Sequence, residues 1–174
     1  MTETGSSYLH KIYSDGTLAW KVKMQTSAGA TFSGQYSSPS LEPDGSVVYA
    51  GGGQTSGGCF FAYDALNGTK LWEFSSDKFF ASNGSPSPKI ERLTAVVGDK
   101  NIYIGNTGTT GSVLAINKTT GTRVSYVGNN TGTGGPAGGV RCGISMSAGG
   151  SLVYRSEYGT FASDRTLLDS PIYT

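Results

Sequence analysis

Apolar and polar positions along this chain fall into short extended runs broken by turn residues, most fully between Ser37 and Phe74. Ser37-Ser38-Pro39-Ser40-Leu41 is a short extended run, and Glu42-Pro43-Asp44-Gly45 follows as a turn. Its proline sets φ and its glycine accepts a positive φ. Val47-Val48-Tyr49-Ala50 is β-branched and aromatic, hence a second strand. Gly51 to Gly58, GGGQTSGG, predicts a loose loop, and Cys59-Phe60-Phe61-Ala62-Tyr63 a third strand. Asn67-Gly68 is a strong hairpin signal, and Thr69 to Phe74 makes the fourth strand. Four short strands in about 52 residues read as an antiparallel meander. Nowhere do apolar residues hold a helical period for ten residues with start and stop signals, so the chain is expected to be all-β.

The pattern recurs. FFAYDALNGTKLWEF (Phe60 to Phe74) is preceded by YLHKIYSDGTLAWKV (Tyr8 to Val22) and followed by VLAINKTTGTRVSYV (Val113 to Val127). Gly16, Gly68 and Gly121 fix the phase at intervals of 52 and 53 residues, and Trp20 and Trp72 each follow their glycine by four. Such a period signals stacked supersecondary units. In the second unit Ser85-Pro86-Ser87 matches the first strand and Asn101 to Gly105 the second, with an insertion of seven around Lys89 to Val96. Val113 to Ile116 and Thr122 to Val127 are its third and fourth strands. In the last unit Gly143 to Met146 and Ser151 to Tyr154 are strands one and two, and Phe161 to Asp164 resembles Phe61 to Asp64. The glycine lets each hairpin reverse with φ above zero. The tryptophan offers a large apolar face, expected to cover the gap between neighbouring sheets.

These residues resemble the repeat of the pyrroloquinoline-quinone-type (PQQ-like) β-propellers, roughly A-x-D-x-x-T-G-x-x-x-W. Ala62, Asp64, Gly68 and Trp72 fit it. Ala115, Asn117, Thr120 and Gly121 fit, but Ser125 stands where tryptophan belongs. Gly16 and Trp20 fit in the first copy, with His10 and Ile12 in place of alanine and aspartate. Ala162 and Asp164 belong to the last copy. The resemblance implies four-stranded propeller blades, about three per chain, in a single domain over residues 1–174: a blade part at 7–24, blades at 35–75 and 84–127, and a blade part at 139–168. Propellers close with about four to eight blades. Three arrangements therefore stay open: a homodimer closing one six-bladed ring, a fragment of a longer propeller, and an arc capped within itself. The first is preferred, with the N-terminal strands of each copy completing the partner's last blade.

The quinoprotein dehydrogenases sharing this repeat are eight-bladed and carry calcium, a catalytic aspartate and often a vicinal disulfide. This chain has no adjacent cysteines, and the blade hairpin accounts for Asp64. The resemblance therefore carries over no cofactor, and no catalytic or metal site is assigned. The expected role is a non-catalytic scaffold that presents loops to a protein or small ligand. The same repeat occurs in propellers that scaffold outer-membrane protein assembly. Alternatives are a piece of a quinone-dependent alcohol or sugar dehydrogenase, and a carbohydrate-binding propeller.

Composition narrows the classes further. Thirteen basic against twelve acidic residues give a net charge of +1, with no field to draw nucleic acid or an acidic membrane. No basic n-region with an apolar stretch opens the chain, and no apolar run approaches the ~20 residues of a membrane helix. The compartment is left open. His10 is the single histidine, so a metal cluster or a Ser-His-Asp triad has almost nothing to start from, and a packing or surface role is expected. No phosphate-loop pattern appears. Gly105 to Gly111 and Gly128 to Gly139 read as connections between strands or blades, the alternative being a rim around a ligand face. Cys59 and Cys142 fall at different places in the repeat, which argues against pairing them. Asn67, Asn83, Asn117 and Asn129 head formal glycosylation triplets. Tyr36, Tyr63, Tyr126 and Tyr158 could furnish a stacking surface, but strand alternation favours core packing.

Overall fold

The computed structural model describes residues 8–29, 38–54, 57–75, 94–105, 112–128, 144–147 and 153–155. Every regular element among them is a β-strand. β1 (Tyr8–Ile12) and β2 (Leu18–Lys23) form a two-stranded sheet. β3 (Ser40–Leu41), β4 (Val47–Gln54), β5 (Gly57–Asp64) and β6 (Lys70–Ser75) form a four-stranded one. β7 (Val96–Val97), β8 (Asn101–Gly105), β9 (Ser112–Asn117) and β10 (Arg123–Gly128) form a second four-stranded sheet. β11 (Ile144–Met146) and β12 (Val153–Arg155) pair at the far end. Strands are antiparallel and adjacent in sequence order, so each four-stranded sheet is the expected meander blade.

Both faces of a central strand are buried, and alternation decides which neighbour each residue meets. Along β5, Phe61 and Tyr63 pack with Leu9, Met24, Trp20 and Val22 of the preceding unit. Phe60 and Ala62 turn the other way, joining Ile102, Ile104, Leu114 and Ile116 of the following blade. Double-sided burial explains the run Ile102-Tyr103-Ile104, in which no position is polar. Tyr103, Val113 and Ala115 face onward and meet Met146 of β11. The chain is thus a row of sheets packed face to face, an arc of propeller blades.

Three expectations are corrected. Gly51 to Gly58 is not wholly a loose loop: β4 and β5 run on into it, pairing Gly51 with Phe60, Gly52 with Cys59 and Gln54 with Gly57. The cause is space. A Cβ on Gly51 would lie 2.5 Å from the Phe60 ring, so glycine here admits an aromatic instead of making a turn. The strand paired with β8 is β7, Val96–Val97, reached by the short turn in which Gly98 N donates to Asn101 O. Ser85–Ser87, expected in that role, lies outside the described residues.

The first hairpin is one residue shorter than the others. Gly16 N donates to the carbonyl three residues back, at Tyr13, whereas Gly68 and Gly121 reach four back, to Asp64 and Asn117. Lys11 opposite Trp20 therefore holds the place of Ala62 opposite Trp72. Lys11 and Tyr13, not His10 and Ile12, stand where the pattern has alanine and aspartate.

Candidate functional site

The polar chemistry of the described residues gathers at the ends of the β5–β6 and β9–β10 hairpins and in the joints between sheets. Asp64 Oδ1 accepts from Leu66 N at 2.7 Å and Asn67 N at 3.3 Å. Asn117 Oδ1 does the same for Thr119 and Thr120, each at 3.0 Å. These short side chains satisfy turn N–H groups that the ladder cannot reach. The residue before each glycine caps the N–H after it: Asp15 for Thr17 and Asn67 for Thr69. Asp44 repeats the device for Ser46 in the β3–β4 turn. Hydrogen bonds from Thr17 hold the Asp15 carboxyl below its ordinary value, and those from Ser46 do so for Asp44.

The tryptophans lie where the sequence places them, between sheets. Trp20 rests over Gly68, whose Cβ would fall 3.0 Å from the indole, and its Nε1 donates to Ala65 O at 3.2 Å. Lys11 Nζ donates to the same carbonyl at 2.8 Å. One blade on, Trp72 covers Gly121, where a Cβ would fall 2.7 Å from the indole, and donates to Lys118 O at 2.8 Å. Each joint thus has three parts: an indole, a glycine that gives it room, and a turn carbonyl that takes its N–H. Gly68 and Gly121 both have positive φ, so glycine is required there twice over.

A buried carboxylate reinforces the second joint. Glu42, 8% exposed, accepts from Tyr49 Oη at 2.7 Å and pairs with Lys118 of the next blade at 3.0 Å. Burial, then the hydrogen bond to Glu42, pushes the Tyr49 hydroxyl well above its ordinary range. Glu73 does similar work across the first joint. It accepts from Lys70 Nζ at 2.6 Å and from Ser27 N at 2.9 Å, tying β6 to the turn that follows β2. Partial burial opposes ionisation, but the bonds from Lys70 and Ser27 outweigh it and lower the Glu73 pKa. Sequence reading missed Glu42, Lys118, Glu73 and Lys11, because their partners across the joints sit 46 to 76 residues away.

The residues singled out from sequence scatter over this frame. His10 sits in β1, half-buried near Tyr8. Cys59 is a thiol buried in the core, and Cys142 lies outside the described residues. Tyr63 is 2% exposed and packs at 6.0 Å from Phe61, as strand alternation requires. Tyr126 lies on β10, while Tyr36 and Tyr158 are outside the described residues. Asn67 and Asn117 spend their side chains on turn capping, and Asn83 and Asn129 are not among the described residues. The glycine-rich stretches 106–111 and 129–139 and the strand expected at Phe161–Asp164 also lie outside them.

Fit to a quinone–metal centre can be tested on these partners. Among the described residues no three His, Cys, Asp or Glu side chains converge as a cation site. Asp64, Glu42 and Glu73 are each engaged in turns or joints. The described residues do not fit a metal-assisted quinone. Among them, too, no helix is long and apolar enough to cross a membrane.

Sheets stacked radially on alternating faces, with antiparallel meanders and tryptophan-locked joints, define a β-propeller, here a partial one. One solved structure agrees with that fold. The quinohemoprotein alcohol dehydrogenase from Comamonas testosteroni matches with a TM-score of 0.63 at 17% identity, over 88% of this chain. The periplasmic gluconolactonase PpgL from Pseudomonas aeruginosa gives 0.49 at 12% identity over 88% of this chain and 47% of its own. BamB from Moraxella catarrhalis gives 0.38 at 16% over 87% of this chain and 49% of its own. Only the first is close enough to bear on the fold, and this chain spans 27% of its length. No protein-family model and no curated protein matches the sequence.

Proposed function

We propose that this chain is a non-catalytic β-propeller module of PQQ-like repeat type, one domain over residues 1–174, presenting loops to a protein or small ligand. The supporting observation is the use of its polar side chains. Asp64, Asn117, Asp15 and Asp44 cap turns, while Glu42, Lys118, Glu73 and Lys11 tie joints. Residues that hold a scaffold in register leave ligand recognition to the loops.

The second reading, part of a quinone-dependent dehydrogenase, is favoured by the likeness to the alcohol dehydrogenase above. One experiment separates them. Purified chain supplied with quinone and calcium is assayed for quinone absorbance and calcium-dependent dye reduction. Neither signal is expected; both together would overturn the module in favour of the enzyme. Protection against heating by a member of a mixed glycan panel would specify the module as carbohydrate-binding.

A further inference from the structure

The turn between β5 and β6 holds a reactive pair in a restrained setting. Asn67 is exposed and is followed by Gly68, which is buried. Asparagine is thermolabile, and most so before glycine, where no Cβ shields the next backbone nitrogen. In such a pair the glycine nitrogen attacks the asparagine Cγ. The new N–Cγ bond closes a succinimide ring as the Cγ–Nδ2 bond breaks, and the nitrogen's proton leaves with the ammonia. Water then opens the ring at either carbonyl. One opening gives aspartate. The other gives isoaspartate, in which the main chain runs through Cβ and Cγ and is one carbon longer.

Three restraints oppose this chemistry in the folded turn. Gly68 N donates to Asp64 O at 2.8 Å, so the attacking nitrogen is engaged. Asn67 Oδ1 accepts from Thr69 N at 2.8 Å and its Nδ2 donates to Asp64 Oδ2 at 3.4 Å, so the amide is held at both ends. Bringing nitrogen and amide carbon together turns the peptide between them and moves Gly68. That glycine is walled in from the preceding unit: a Cβ on it would lie 2.9 Å from Val22 Cγ1 and 3.0 Å from the Trp20 ring.

We propose that Asn67 is a self-modification site gated by the first joint: it cyclises only when Trp20 lifts from Gly68, and its isoaspartyl product keeps the joint from closing again. The two products differ in consequence. Aspartate fits, because Asp15 holds the same place before Gly16 and caps Thr17 N at 2.9 Å as Asn67 caps Thr69 N. Isoaspartate lengthens the chain just before Gly68, which displaces the glycine from the Asp64 carbonyl and from the indole. Asp15 is not a second such site. The bonds from Thr17 favour its ionised form, and a carboxylate is a poor electrophile.

The test reads chemistry at one residue and holds for a scaffold and for part of an enzyme alike. Parent, Trp20→Ala and Gly121→Ala chains are incubated at mildly alkaline pH, with circular dichroism checking that each stays folded. Peptide mapping with electron-transfer fragmentation follows Asn67 and separates aspartate from isoaspartate. Parent chain in urea gives the unrestrained rate. Folded parent should convert at least roughly a hundredfold more slowly than that, in proportion to the time the joint stands open. Trp20→Ala should speed the folded-state conversion by about tenfold, while Gly121→Ala, which strains the second joint, should not. If Trp20→Ala does not fold, Val22→Ala loosens the same wall. Equal rates in folded and unfolded parent, no acceleration when the wall is loosened, or equal acceleration by Gly121→Ala would each overturn the gate. The second half of the proposal is read by melting. Parent and Asn67→Asp chains are aged together in urea and refolded, so that changes elsewhere are shared. The aged parent should melt below aged Asn67→Asp; coincident melting would mean that isoaspartate leaves the joint intact.

Discussion

The joint between β3–β6 and β7–β10 and the joint between β7–β10 and β11–β12 are built on the same plan and finished differently. In the former, Trp72 lies on Gly121, donates to Lys118 O, and stands 5.9 Å from the Tyr49 ring. Lys118 in turn reaches Glu42, so the indole and the ion pair brace one turn from two sides. In the latter the tryptophan position is Ser125, and the contact rests on Tyr103, Val113, Ala115 and Met146. One joint is locked by an indole that fills the gap; the other is closed by Tyr103, Val113, Ala115 and Met146 with no indole at the equivalent position. The difference teaches where a single indole holds the arc and where it does not.

The strongest way to break that comparison is Trp72→Ala. The indole is 9% exposed and removes a large volume when truncated, so the loss should be about 3–5 kcal/mol. Chemical denaturation at fixed protein concentration measures it; a loss below about 1 kcal/mol would mean that the indole does not lock the joint. Gly121→Ala attacks the same contact from the other side. A Cβ would sit 2.7 Å from the indole with φ at 69°, so conformational strain of about 1–2 kcal/mol adds to overpacking of about 1–3 kcal/mol. Both variants should be destabilised with no change in the slope of the transition, since neither alters how much surface unfolds.

The first joint sharpens the scale. Trp20 makes the same two contacts as Trp72 but is only half-buried, and Lys11 shares its carbonyl acceptor. Trp20→Ala should cost about 2 kcal/mol, roughly half the value for Trp72. Gly16→Ala isolates the backbone component: φ is 85° and nothing lies within 4 Å of the added methyl. Its cost should be about 1 kcal/mol, the left-handed penalty alone. If Gly16→Ala and Gly121→Ala were equally damaging, the indole over Gly121 would contribute nothing to the difference.

Much of this architecture was legible because it is local. A glycine and a tryptophan four residues apart fix a hairpin and the strand that follows, and three phased copies disclose stacking. The errors are physical too. Gly51 to Gly53 look like loop because glycine is permissive, yet a neighbouring ring excludes a side chain at Gly51 and the strand continues. Aligning the first copy on Gly16 displaced β1 by one residue, because a hairpin can lose a residue before its glycine without disturbing the strand after it. Long-range ties such as Lys118 to Glu42 have no sequence signature, since the partners are neighbours only once blades stack.

The smallest expected effect concerns acid. Glu73 joins β6 to Ser27 N and Lys70, and those bonds lower its pKa from the ordinary 4.5 despite partial burial. A lowered folded-state pKa means that the folded form binds this proton less readily than the unfolded chain does. Its stabilisation is therefore complete above pH 4.5 and is lost as pH falls through the lowered value. Glu73→Gln keeps the shape and removes the charge, so the variant's stability should change less between pH 6 and pH 3 than that of the parent. Because the pair is only partly buried, solvent screening keeps the effect below that of any joint substitution. Identical acid profiles for parent and variant would show that Ser27 and Lys70 exchange their bonds to Glu73 for water at no net cost. The first joint would then be held by Trp20 and Lys11 on the Ala65 carbonyl, without help from the charge.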